Sequence, residues 1–125
     1  MSLEEIKVII KSALESIAPT LPQVLEFHLE RKLGKDVIAV LLANPRAIYD
    51  ALLEINDNIE DQTDNLIIEL ISAINGKYDI NIDPHEVLEA LKENNGKKIE
   101  SIARQLTNSN RKNLVLKGTQ ITRVP

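Results

Sequence analysis

The stretch "VIAVLLA", Val37 to Ala43, is apolar at every position, and its reading decides the fold. A buried strand and a short buried helix both fit such a run, because periodicity is silent when every position is apolar. A strand would need partners, and no strong strand pattern lies nearby. The run is read as a short buried helix, and the chain as all-α. Outward from it, Gly34 and Asn44-Pro45 punctuate its two sides. Glycine suits a helix C-terminus. Asparagine followed by proline suits a helix start, since Asn accepts from free first-turn amides and Pro has none to leave unmet.

Toward the N-terminus, Leu21, Val24, Leu25, His28, Leu29 and Leu33 form one helical face, opened by a Thr20/Gln23 capping box. Before Pro19, the residues Ile6, Ile9, Ile10, Ala13, Leu14 and Ile17 repeat at helical spacing behind a Ser2/Glu5 box. Toward the C-terminus, Ile48, Leu52 and Ile55 supply the inner face of the helix opened by Pro45. Asp57, Glu60, Asp61 and Asp64 then crowd a helix start, where the helix dipole favours negative charge. That helix carries Ile59, Thr63, Leu66, Ile67, Leu70, Ile71 and Ile74, and Gly76 is expected to end it.

"KYDINID" alternates Tyr78, Ile80 and Ile82 with polar residues, a short strand signal. Asp83-Pro84 starts another helix, Asn95-Gly96 breaks it, and Ile99, Ile102, Ala103 and Leu106 carry a last one. "TNSN" reads as a turn. Leu114, Leu116, Ile121 and Val124 around Lys117-Gly118-Thr119 fit a small β-hairpin over 113–124. The expected architecture is an all-α compact bundle of about six or seven short helices with a winged-helix-like end. Residues 1–76 form a helical domain, and 77–125 a smaller unit packed on it.

"NPRAIYDALLE" (44–54) and "DPHEVLEALKE" (83–93) share Pro, Ala, Leu and Glu at matching positions. Shared helix-start chemistry accounts for most of this, ahead of a duplicated unit.

Hydrophobic residues at 43% support a packed core, and the lack of Cys excludes disulfides, thiol catalysis and cysteine zinc sites. Aromatics at 2% argue against base-stacking on exposed rings. No apolar run reaches a membrane span, and "MSLEEIK" lacks the basic start of a signal peptide. A soluble, cytoplasmic protein without membrane attachment is expected.

Catalytic and metal patterns are weak. His28 lies on an apolar face and reads as a core-edge histidine; His85 reads as exposed near a helix start. "DINID" has calcium-loop spacing, but Pro84 and Ala90 stand where an EF-hand needs Gly and Glu. The acids at 57–64 read as a solvated helix start rather than a magnesium site. No phosphate-cradling glycine loop and no nucleophile motif is present. No catalytic residue, metal or cofactor is assigned.

Charge is asymmetric. All 19 acids lie in residues 1–100, while 101–125 carry five bases and no acid. In a winged-helix arrangement, 97–107 would be the reading helix and Lys117-Gly118-Thr119 the wing tip. Lys97, Lys98, Arg104, Arg111, Lys112, Lys117 and Arg123 would then face phosphates, with Lys98, Ser101, Gln105 and Asn108 suited to base edges. The alternatives are an ordinary helical hairpin with a solvated polar face, and a basic tail lying on the protein's own acidic body.

His28-Leu29-Glu30, Lys32-Leu33-Gly34, Asn44-Pro45 and Ala51-Leu52 mark a stretch, Ala13 to Ile55, that resembles small archaeal helical proteins of unknown function. Related segments look like the output domains of archaeal signalling proteins. The likeness covers roughly residues 8–75. It implies an archaeal source and an all-α regulatory or interaction module, with no catalytic residue to carry over. The function expected first is therefore non-enzymatic: a regulatory or protein-interaction module that self-associates or binds a protein partner. The alternative is a DNA-binding regulator using the basic C-terminal unit.

Overall fold

The computed structural model describes residues 3–34 and 36–123, with side chains described as far as residue 109. Among the described residues seven helices follow one another: α1 (Leu3–Ile17), α2 (Leu21–Leu33), α3 (Val37–Ala43), α4 (Pro45–Ile55), α5 (Glu60–Tyr78), α6 (Pro84–Lys92) and α7 (Gly96–Arg123). No strand occurs among the described residues, and the all-α reading of "VIAVLLA" holds.

α1 packs along α5, α4 packs against α2, α3 and α6, and α7 packs against α6 and α3. Residues 3–4 apart make the buried stripes, as helical geometry requires. On α1 these are Ile6, Ile9, Ala13 and Leu14; on α5, Thr63, Ile67, Ile71 and Ile74. One buried cluster joins Ile9, Leu14, Ile48 and Ile74 to Ile82, Leu91, Ile99 and Leu106. Described residues on both sides of position 76 thus contribute to the same core.

Several local expectations are overturned. α3 is helical but only partly buried: residues 37–42 are intermediate in exposure and Ala43 is exposed, because α1, α2, α4 and α7 each touch it without closing over any one position. Thr20 precedes α2 without a side-chain cap. Its backbone is already helical (φ −96°, ψ −6°), whereas capping requires an extended residue. Ser2, half of the other box, lies outside the described residues. Asn44 also makes no side-chain cap. Its role is taken by Asn94, whose Oδ1 accepts from the Arg46 amide at 3.1 Å. Asp83 does cap α6, accepting from the His85 amide at 2.9 Å.

Gly76 does not end α5. The helix runs on to Tyr78 and stops at Asp79, which takes the left-handed conformation (φ 53°, ψ 52°) and donates its amide to the Asn75 carbonyl. Aspartate tolerates that conformation, and a mid-helix glycine costs only about 1 kcal/mol. The strand expected over 78–82 is absent. Tyr78 is helical, and Ile82 meets a side chain instead of a strand: its N–H donates to Asn75 Oδ1 (2.9 Å) and its carbonyl accepts from Asn75 Nδ2 (2.7 Å).

The C-terminal hairpin over 113–124 is also overturned, and with it the wing. α7 is a single helix through "TNSN" to Arg123, about 42 Å long at 1.5 Å per residue. "TNSN" contains no Gly or Pro, and Thr107 Oγ1 satisfies itself on the Arg104 carbonyl (3.1 Å). Gly118 inside a helix carries only the ordinary glycine cost. The start of α7 lies against the end of α3: a Cβ on Gly96 would stand 2.5 Å from the Leu42 carbonyl oxygen.

Candidate functional site

Of the seven basic residues expected to meet nucleic acid, three have described side chains. Lys97 is exposed, Lys98 pairs with Glu86 (3.5 Å), and Arg104 pairs with Glu100 one turn earlier (2.7 Å). Such exposed pairs contribute little and are easily exchanged. The side chains of Arg111, Lys112, Lys117 and Arg123 lie outside the described residues. Lys97, Ser101, Arg104, Gln105 and Asn108 are all exposed at positions that share one α7 face. The structure therefore keeps the basic helix and removes the wing.

A second constellation joins α4, α5 and α6. The Tyr49 hydroxyl donates to Asp64 Oδ1 (2.7 Å), and Lys92 Nζ donates to Asp64 Oδ2 (2.9 Å) and Glu60 Oε1 (3.0 Å). Lys92 also stands 5.4 Å from the Tyr49 ring centre, and the Arg46 guanidinium 5.2 Å from it. Burial, then the Asp64 hydrogen bond, pushes the Tyr49 phenol up to about 12. The hydrogen bonds to Asp64 and Glu60 raise the Lys92 ammonium above its ordinary value. Burial opposes ionisation of Asp64, but the hydrogen bonds from Lys92 and Tyr49 outweigh it and hold the carboxyl below its ordinary value. Each group is thus fixed more firmly in the form it already has at neutral pH. General acid–base work requires the opposite, a pKa brought toward the operating pH. The arrangement is a tie between three helices, built from two of the four acids that the sequence grouped at 57–64.

The third feature is on α2. Val24 and Phe27 are 46% and 56% exposed, with the Arg31 guanidinium 5.5 Å from the Phe27 ring centre and the His28 ring edge-on to it at 5.5 Å. Positions 24, 27 and 31 fall on one stripe of a helix. The sequence reading placed Val24 on the inner face. The structure turns it outward and fills the inner face with Pro22 and Leu25, with Leu21, Leu29 and Leu33 partly covered. The available signal was Phe27, an aromatic residue off the inner stripe and one turn from Val24. Among the described residues no group of His, Asp and Glu is placed to hold a metal ion, and no helix is long and apolar enough to cross a membrane.

The chain is similar to an uncharacterised protein of Archaeoglobus fulgidus, with 26% identity over 102 residues, covering 82% of this chain and 81% of that protein. No protein-family model matches the chain. No solved structure matches it significantly.

Proposed function

We propose that the protein is a non-enzymatic interaction module that self-associates through the outward stripe of α2. The observation that carries this reading is the exposure of Val24 and Phe27 beside Arg31 on one helix face. Large apolar side chains gathered on one face of a small domain cost solubility unless a partner covers them. Aromatic and arginine side chains are also the residue types on which association energy concentrates. The stripe lies inside the stretch Ala13 to Ile55, from which the sequence alone led us to expect a regulatory or interaction module, and a regulatory role in the cytoplasm is part of this proposal. The test is sedimentation equilibrium of the wild type and Phe27→Asp. The wild type is expected to dimerise with little dependence on salt, and the variant to dimerise about tenfold or more weakly. A wild type that is monomeric throughout, or a dimer indifferent to Phe27→Asp, overturns the reading.

A second reading, DNA binding by α7, is favoured by the shared exposed face of Lys97, Ser101, Arg104, Gln105 and Asn108. It requires retention of duplex DNA at low salt that falls steeply as salt rises. It also requires that Lys97→Glu with Arg104→Glu weaken that retention. No retention at low salt refutes it.

A further inference from the structure

A pocket of about 240 Å³, open to solvent on one side, reaches into the core. Native interiors rarely leave voids larger than a water molecule. Its walls are aliphatic and come from most of the helices: Ile10 on α1, Leu25 on α2, Leu41 on α3, Ile71 on α5, and Ile102 and Ala103 on α7. Among the described residues, the charged side chains that reach it are Lys7 and Lys11 of α1, Glu26 and Glu30 of α2, and Asp36 just before α3. These place its mouth where α1, α2 and the start of α3 meet.

The geometry points to a binding site for one small uncharged apolar molecule, an aliphatic chain or ring. Three observations carry this. An engineered apolar cavity of about 150 Å³ stays dry and takes up benzene, so in proportion this one suits roughly ten carbon atoms. Walls of Ile and Leu offer no hydrogen-bond partner to water. Among the described residues the rim carries three acids, Glu26, Glu30 and Asp36, against two bases, Lys7 and Lys11, so it offers an anionic head no net positive charge. A fatty carboxylate would be held more weakly than the alcohol of the same length. The site is independent of the α2 stripe: Val24 and Phe27 do not line it.

The experiment is a titration of the full chain with 1-octanol and, separately, with octanoate, followed by isoleucine and leucine methyl resonances and by thermal unfolding. Octanol is expected to shift the methyls of Leu41, Ile71 and Ile102 in a saturable way and to raise Tm. Octanoate is expected to bind about tenfold or more weakly, as the rim charge and the cost of desolvating a carboxylate require. Ala103→Leu, which fills the cavity, should abolish the octanol shifts; if that variant does not fold, Leu41→Phe serves. No saturable shift with octanol, equal binding of octanoate, or shifts that persist in a folded cavity-filling variant would each overturn the assignment. In Phe27→Asp, which removes association through α2, shifts of the Leu41, Ile71 and Ile102 methyls that depend on protein concentration without octanol would show a second copy in the pocket and would overturn it too.

Discussion

The side-chain amide of Asn75 and the backbone of Ile82 exchange two hydrogen bonds, at 2.7 and 2.9 Å. The pattern matches what a neighbouring strand would offer an extended residue. Ile82 can therefore bury its side chain, 4% exposed, without a sheet.

Asn75→Ala leaves both backbone groups of Ile82 unmet and is expected to cost about 2–4 kcal/mol, since each orphaned buried group costs about 1–3. Asn75→Asp keeps the acceptor but turns a carboxylate toward the Ile82 carbonyl. Its neutral form is favoured in the folded chain, so its pKa is raised there. The extra destabilisation is full above that pKa and is relieved as acid protonates the carboxyl. Denaturant unfolding of both variants across acidic and neutral pH checks this.

Tyr49 gives the alkaline limit. Its phenol is raised from 10.0 to about 12 in the folded chain, so between those values the unfolded chain has released a proton that the folded chain keeps. Stability is full below pH 10 and falls as pH rises toward 12, by up to roughly 2–3 kcal/mol for a shift of this size. Lys92, also raised, loses stability above its ordinary value of 10.5 and adds to the same limb. Tyr49→Phe should cost about 1 kcal/mol at neutral pH and flatten the alkaline limb. An unchanged limb would remove Tyr49 as its source.

Two glycines should respond in opposite directions. Gly76 is inside α5, and a Cβ there meets nothing within 4 Å, so Gly76→Ala is expected to stabilise by about 0.5–1 kcal/mol. At Gly96 the Cβ would press on the Leu42 carbonyl, a backbone atom at the α3–α7 junction. Gly96→Ala is expected to destabilise by about 1–3 kcal/mol. Thermal unfolding of the two single variants decides both signs.

The first-turn amide of α4 is met from 48 residues away by Asn94, and the Arg46 guanidinium donates to the Lys92 carbonyl at 3.0 Å. Asn44→Ala should therefore change stability by less than the usual ~1 kcal/mol of a lost cap. Asn94→Gly keeps the left-handed backbone (φ 57°) and should cost that full amount. The reverse order would mean that Asn44 caps α4 in solution.

What the sequence disclosed follows from this pattern. Helix starts at Pro45 and Pro84 and the helical state of Val37 to Ala43 rest on local chemistry, and all were legible. Asn94 on Arg46 and Asn75 on Ile82 depend on segments that meet only after packing, so a local reading assigned a cap to Asn44 and a strand to Ile82. The hairpin failed for another reason: a glycine and alternating apolar residues are compatible with a helix when the preceding turns already supply one. The helical placement of Lys97, Lys98 and Arg104 was legible, whereas the outward turn of Val24 was not. The apolar pattern of α2 is too dense to say which stripe faces in.

α3 has one more consequence. A two-turn helix whose Val37, Val40, Leu41 and Leu42 pack on the core only partly covered is held less firmly than a long helix with fully buried residues. Local opening there costs much less than global unfolding. In a hydrogen-exchange experiment its amides should be replaced by deuterium well before those of α5, whose Ile67, Ile71 and Ile74 are buried. Because Leu41 lines the cavity, the same brief excursion uncovers the interior. Entry of a small molecule at that mouth would then quicken as "VIAVLLA" breathes.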